Sequence, residues 1–388
     1  MKFETRAIRI QTERSSQREH STPLYPTSSF VFNSAEQMQA VFDGQEDGNI
    51  YSRFTNPNIQ EFENKMASLE GVEKAVATSS GMAAVFTSIL SFLKQGDHLL
   101  ACGALFGSTH QIISENLKDY GIEVSVLDPN DFNNWKDAVK TNSKMLLMES
   151  PSNPGLNVYD LNAINTFCKE YKLLFNIDNC FATPYLQNPA SYGADIITHS
   201  ATKFIDGQGR VLGGVVAGSS ALMEKVFTFI RRTGASLSPF NAWVLSKSLE
   251  TLSVRMDKHC ANALSLAMFL EEHPLIENVR YPFLPSHPDY NIAKKQMRLG
   301  GGIVTFTLKE GNNERGIKFL NNLKMLSLTA NLGDTRSIAS HPASTTHRKL
   351  DKISKKKIGI SDGLIRISVG LEHIDDIKND INQALNSI

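Results

Sequence analysis

Asp195-Ile-Ile-Thr-His-Ser-Ala-Thr-Lys-Phe-Ile-Asp-Gly-Gln-Gly-Arg-Val-Leu-Gly-Gly214 is the stretch on which the reading of this chain turns. Ile196 to Thr198 reads as a short apolar strand, and Val211 to Ala217 as a second run returning to the sheet. Between them stands one lysine, Lys203, followed by a glycine-bearing turn. A lone lysine beside a loop is usually a surface side chain. A lysine held between an apolar strand and a glycine-rich loop is desolvated. Its pKa falls, and the neutral amine becomes a nucleophile. Ser200 and Thr202 supply hydroxyls for an anion such as phosphate. Together these features suggest a Schiff-base lysine that holds pyridoxal phosphate.

Upstream, strands alternate with helices. Predicted strands cover Lys74–Ala77, His98–Cys102, Glu123–Leu127, Met145–Glu149 and Leu173–Ile177. Predicted helices cover Ile59–Gly71, Ala83–Phe92, Thr109–Tyr120, Asn134–Lys140 and Asp160–Tyr171. Phe62, Met66 and Leu69 give the first helix its 3–4 spacing, and Gly71 its C-cap. This alternation implies a mostly parallel sheet covered on both faces. Ligands in such folds bind at the carboxyl ends of the strands. Ser80, Phe106, Asn153, Asp178 and Lys203 each fall just beyond a predicted strand.

The turn Thr78-Ser-Ser-Gly-Met82 before a helix makes an anion cradle from backbone N–H groups and the helix dipole. A carboxylate closing a buried strand, as Asp178 does, needs a positive partner or serves as an N-cap. A protonated pyridine nitrogen is such a partner. Phe106 can stack on a flat ring or pack in the core.

Residues 1–58 show little periodicity and carry Pro23, Pro26 and Pro57. An irregular arm this long is expected to lie over a neighbouring subunit. Within it, Tyr51-Ser-Arg53 offers phosphate-binding chemistry. After the lysine region a long helical stretch runs from about Ala221 to His273, interrupted at Pro239. Alternating strands then appear at Gly300–Leu308, Met325–Ala330 and Gly363–Gly370, with a closing helix at Asp375–Leu385. Arg366 is a charge in an otherwise apolar strand, suited to capturing a carboxylate or to an exposed face. His341 and His347 lack an acidic or cysteine cluster, so no metal site is expected. The basic run from Arg348 through Lys349, Lys352, Lys355, Lys356 and Lys357 reads as a solvated linker.

Composition narrows the classes. Of 388 residues, 41% are hydrophobic, and 40 basic side chains balance 40 acidic ones, so no polyanion-binding surface is expected. No apolar run reaches membrane-spanning length. Met1-Lys-Phe-Glu-Thr-Arg6 has no apolar signal core, and the four scattered cysteines suit a reducing compartment. The cytoplasm is the expected location. GxGxxG is absent after the first strand, which argues against a nicotinamide-dependent dehydrogenase.

The order of these motifs resembles the Cys/Met-metabolism family of pyridoxal-phosphate enzymes. The residues that carry the resemblance are Tyr51-Ser-Arg53, Ser79-Ser-Gly-Met82, Glu149-Ser-Pro-Ser-Asn-Pro154, Asp178-Asn179, Ser200-Ala-Thr-Lys203 and Arg366-Ile-Ser-Val-Gly-Leu-Glu372. The resemblance implies an α/β aminotransferase-like fold (fold type I): a large, mostly parallel sheet domain with a smaller α+β C-terminal domain. The expected division is an arm at 1–58, a cofactor domain at 59–250 and a C-terminal domain at 251–388. Lys203 would carry pyridoxal 5'-phosphate, and Asp178 would pair with its ring nitrogen. Ser80, Gly81, Met82, Ser200 and Thr202 would hold its phosphate, with Tyr51 and Arg53 reaching in from the adjacent subunit of a homotetramer (a dimer of dimers). Asn153 and Arg366 would hold the substrate carboxylate.

Two positions depart from the family pattern. Phe106 stands where a tyrosine usually stacks, so proton transfer would pass to Lys203, Tyr51 or water. The loop Gly207-Gln-Gly-Arg210 replaces the usual Gly-His-x-Asp. Both features resemble the O-succinylhomoserine sulfhydrylase branch. They imply γ-replacement on O-succinylhomoserine by sulfide, with cystathionine γ-synthase and methionine γ-lyase as rival activities. Arg210 is a further candidate, as a reader of the distal succinyl carboxylate.

Overall fold

The structure is a computed structural model that describes residues 1–129, 131–345, 348, 355 and 359–388. Seven strands form the large sheet: β1 Lys74–Thr78, β2 His98–Cys102, β3 Glu123–Leu127, β4 Ser143–Glu149, β5 Leu174–Asp178, β6 Ile196–Ser200 and β7 Gly214–Gly218. Their order is β1-β7-β6-β5-β4-β2-β3. Only β7 runs antiparallel to its neighbours, so the carboxyl ends of the other six share one edge.

Period-two alternation explains why this sheet is covered on both sides. Leu99, Ala101, Met145, Leu147, Ile196 and Val216 pack with Ile89 and with Val226 and Ile230, on the helices Gly81–Leu90 and Ser220–Thr233. The intervening Leu100, Leu146, Met148, Phe175, Ile177 and Ile197 pack on the opposite face with Leu161, Ile164 and Phe167 of the helix Leu161–Glu170. Central strands are therefore buried at nearly every position, as parallel strands covered on both faces are.

A second sheet contains β8 Ile276–Arg280, β9 Ile303–Leu308, β10 Ser327–Leu328, β11 Ile338–Ser340 and β12 Leu364–Ser368, in the order β10-β11-β12-β9-β8. The 20-residue helix Leu252–Glu271 serves two cores. Leu252, Met256 and Cys260 pack with Phe204 and Leu332 beside the large sheet. Leu266 and Leu270 pack with Phe306, Ile365 and Ile377 against the small one. The arm rests on its own chain: Thr12 N and Thr22 Oγ1 donate to Glu61, and Trp243 Nε1 donates to the Thr22 carbonyl.

Several sequence expectations are corrected. The predicted helix Asn134–Lys140 is a 3-10 turn at Phe132–Ala138. Asn134 donates to Asp131 and Trp135 Nε1 to the Asp128 carbonyl, local bonds that compete with an α-helix. The predicted strand Met325–Ala330 shrinks to Ser327–Leu328 because the N–H groups of Lys324, Met325 and Leu326 are taken by the Asp380 carboxylate. The stretch Thr109–Tyr120 contains a π-helical turn at Ile112–Asn116. The long C-terminal helical region is three helices, Ser220–Thr233, Pro239–Leu249 and Leu252–Glu271. Pro239 starts the second, behind a Ser238 cap. His341 is buried between Ser344 and the Asp362 carbonyl. His347 and the linker residues Lys349, Lys352, Lys356 and Lys357 lie outside the described residues.

Candidate active site

The strand ends converge on a cavity of about 210 Å³. Ten of the residues singled out in the sequence line it: Ser80, Gly81, Met82, Phe106, Asn153, Asp178, Ser200, Thr202, Lys203 and Arg366.

One wall is the start of the helix Gly81–Leu90. Ser80 caps it, accepting from Ala83 N at 3.1 Å. This leaves the first backbone N–H groups at the cavity, where the helix dipole favours an anion. Gly81 lets the helix sit directly on β6. A Cβ there would lie 2.4 Å from Ser200 Cβ.

Lys203 follows β6 by a tight turn, its N–H bonded to the Ser200 carbonyl at 3.2 Å. Its Nζ donates to Asn331 Oδ1 at 2.5 Å. Burial lowers the Lys203 pKa, opposed in part by Cys180, with a lesser further lowering from the Arg366 charge. Asp178 ends β5 and accepts from Cys180 N at 2.9 Å. Burial pushes this carboxyl upward, opposed by that N–H and by nearby His199.

A further wall is Arg366, a buried guanidinium on β12. Nη1 donates to Asn153 Oδ1 at 2.9 Å and Nη2 to the Asn331 carbonyl at 3.3 Å. Its Nε is buried without a protein partner. Burial lowers this arginine to about 10, while Glu149 acts in the other direction. Glu149, pushed well up by burial and by Asp178, accepts from Phe106 N at 2.9 Å and so fixes the backbone beneath that ring.

Three expected residues lie elsewhere. Arg210 does not line the cavity. Its guanidinium is held by Asp206, at 2.9 and 3.1 Å, and by Ser248, so its position lends no support to a role in reading substrate. Tyr51 and Arg53 are exposed and do not line the cavity. Arg53 donates to the Arg231 carbonyl, and both arginines stack on Phe54, at 4.5 and 4.2 Å.

The sequence reading missed Glu149, Cys180 and Asn331. Glu149 closes a buried strand as Asp178 does, so the same argument finds it. Asn331 sits in a stretch without periodicity, where no local signal marks it. Among the described residues, no group of three or more His, Cys, Asp or Glu side chains is placed to hold a metal ion, and no helix is long and apolar enough to cross a membrane.

A half-buried amine of lowered pKa, a strand-end carboxylate, a helix N-terminus and an unpartnered guanidinium nitrogen surround one cavity. This donor set fits a phosphate-bearing, nitrogen-containing ring joined to a lysine, and it defines a lysine-dependent cofactor enzyme on an aminotransferase-like α/β fold. The comparisons agree. The family model described as "Cys/Met metabolism PLP-dependent enzyme" matches residues 4–386, and the chain belongs to that family. Its cofactor is pyridoxal phosphate.

An O-succinylhomoserine sulfhydrylase of Pseudomonas aeruginosa is 45% identical, over 99% of this chain and 95% of that protein. An L-methionine gamma-lyase of Porphyromonas gingivalis is 41% identical, over 95% and 93%. A crystal structure of a proposed O-acetylhomoserine (thiol)-lyase from Campylobacter jejuni superposes with a TM-score of 0.96. It is 34% identical, covers both chains completely, and carries a pyridoxyl-lysine phosphate.

Proposed function

We propose that this enzyme forms homocysteine by γ-replacement, exchanging the succinate of O-succinylhomoserine for sulfide. The observation that carries this reading is that Lys203 and Arg366 line one cavity and both bond to Asn331. Pyridoxal phosphate bound here supplies an electron sink for carbanions formed on the substrate. Lys203 would hold the cofactor covalently through its Nζ. Arg366 and Asn153 grip the substrate carboxylate, the buried Nε of Arg366 being the donor still free for it.

That grip turns Cα toward Lys203. Burial lowers its pKa, which favours the neutral amine that a Cα proton acceptor requires. A proton is next removed from Cβ, and succinate departs from Cγ with the bonding electrons. Sulfide then bonds to Cγ, and protons return to Cβ and Cα. Phe106 offers a ring face but no hydroxyl, so Lys203 is the side chain best placed to carry these protons. The N-terminus of the Gly81–Leu90 helix, with Ser200 and Thr202, would hold the phosphate, and Asp178 would pair with the ring nitrogen. Tyr51 and Arg53, exposed and absent from their own cavity, complete the phosphate site of a neighbouring subunit in a homotetramer.

The test is product analysis with purified enzyme. O-succinylhomoserine is supplied with sulfide or with cysteine, and methionine is supplied alone. Homocysteine as the dominant product, with sulfide preferred, is the expected result. Cystathionine as the main product moves the chain to the synthase activity. Methanethiol release from methionine at a comparable rate moves it to the lyase activity, which the similarity to the Porphyromonas gingivalis protein favours.

A further inference from the structure

The loop after Lys203 is unusually well tied. Its two ends close on each other: Thr202 Oγ1 meets Gly213 N at 3.1 Å and the Gly213 carbonyl at 3.2 Å. Inside the loop, the buried Asp206 accepts from Arg210 N at 2.8 Å and from the Arg210 guanidinium. From outside, Arg255 of the helix Leu252–Glu271 reaches the carbonyls next to the lysine. Nη1 donates to the Phe204 carbonyl at 2.6 Å, and Nη2 to those of Ile205, at 3.1 Å, and Ser248, at 2.9 Å. Arg255 is itself buried, 6% exposed. Arg210 and Arg255 meet again at Ser248, one on its hydroxyl and the other on its carbonyl. The backbone is shaped to admit this side chain: Gly207 has φ +68°, and a Cβ there would lie 2.0 Å from Arg255 Nη1.

We infer that Arg255, with the Asp206–Arg210 pair, is a clamp that positions Lys203, which makes Arg255 a positioning residue for the lysine–cofactor linkage. The inference rests on the reading of Lys203 given above. A bidentate guanidinium fixes the two carbonyls that follow the lysine in a single plane. No other side chain presents such a rigid fork. A lysine on a free loop would reach the cavity in many orientations. On a clamped loop its amine is confined near Asn331 Oδ1. The clamp also accounts for the Gln-Gly-Arg sequence. Arg210 holds the loop from within through Asp206, which is why it does not face the cavity.

The experiment compares cofactor-loaded parent enzyme with Arg255→Met, Arg255→Lys and Gly207→Ala. The last leaves Arg255 present but pushes its guanidinium aside, so it serves if Arg255→Met does not fold. Three quantities are read: the pH midpoint of the visible absorption band, the rate of cofactor loss to a competing amine, and the thermal midpoint. For Arg255→Met and Gly207→Ala the band midpoint is expected to move by about half a pH unit or more, with cofactor loss about tenfold faster. Arg255→Lys is expected to recover part of both changes. A lowered thermal midpoint with unchanged band midpoint and cofactor retention in both variants would overturn the clamp. No visible band in the loaded parent would overturn the reading of Lys203 itself. A changed preference for sulfur donor touches only the proposed reaction.

Discussion

At the residue scale, the site is a set of side chains whose ordinary surroundings have been removed. Arg366 is 2% exposed and carries one unpartnered nitrogen. Arg366→Ala is expected to lower kcat/KM for the amino-acid substrate by about 100-fold or more, because it removes a desolvated charged partner. The cofactor absorption band of that variant should be intact. Loss of the band together with activity would show that Arg366 serves the cofactor instead. Asn331→Ala removes the acceptor on Lys203 Nζ. It is expected to lower kcat by about tenfold with KM little changed, measured by steady-state kinetics. Lys203, Asp178 and Arg366 were legible in sequence because each is a charge set in an apolar strand or at its end. Asn331 was not. A neutral residue in an aperiodic loop acquires its meaning only when the fold brings it 128 positions back along the chain to the lysine.

At the scale of elements, the phosphate cradle depends on how closely one helix is docked on two strands. A Cβ on Gly81 would meet Ser200, 2.4 Å from its Cβ and 2.7 Å from its Cα. A Cβ on Gly214 would come 2.2 Å from the Ser80 carbonyl. Gly81→Ala is therefore expected to displace the helix start and to weaken cofactor binding by about tenfold or more, as read by titration of the cofactor-free protein. An unchanged affinity would mean that the helix start does not hold the phosphate. Ser80→Ala, which removes the cap, is expected to cost about 1 kcal/mol in urea unfolding of the cofactor-free protein. The central strands β2, β4 and β5 were legible because each carries a short apolar run of the right length. The 3-10 turn Phe132–Ala138 and the shortened strand Ser327–Leu328 were not, because side-chain bonds from Asn134 and Asp380 override the local pattern.

At the scale of the whole molecule, buried histidines make stability depend on pH. His259 is fully buried, with Nδ1 2.6 Å from the Val369 carbonyl. Burial pushes it down to about 4, and His287, also buried, down to about 4. An unfolded histidine takes up its proton near 6.5. Between pH 6.5 and 4 the unfolded chain thus binds more protons than the folded one. Stability falls as the pH drops through that window and is intact above it. Each histidine contributes a slope of about 1.4 kcal/mol per pH unit. Urea midpoints at pH 7 and pH 5 should converge in His259→Gln relative to the parent, and equal slopes would refute the assignment. The pairing of β7 has a different kind of consequence. Gly214 stands opposite both Ser200 on β6 and Thr78 on β1. The loop that begins at Lys203 therefore leaves and re-enters the sheet at fixed points. A slip of that pairing by one residue would turn every side chain of β7 to the wrong face, against β6 and β1 alike. The sheet thus gives the lysine-bearing loop a frame gripped from two sides, whatever letters the loop itself carries.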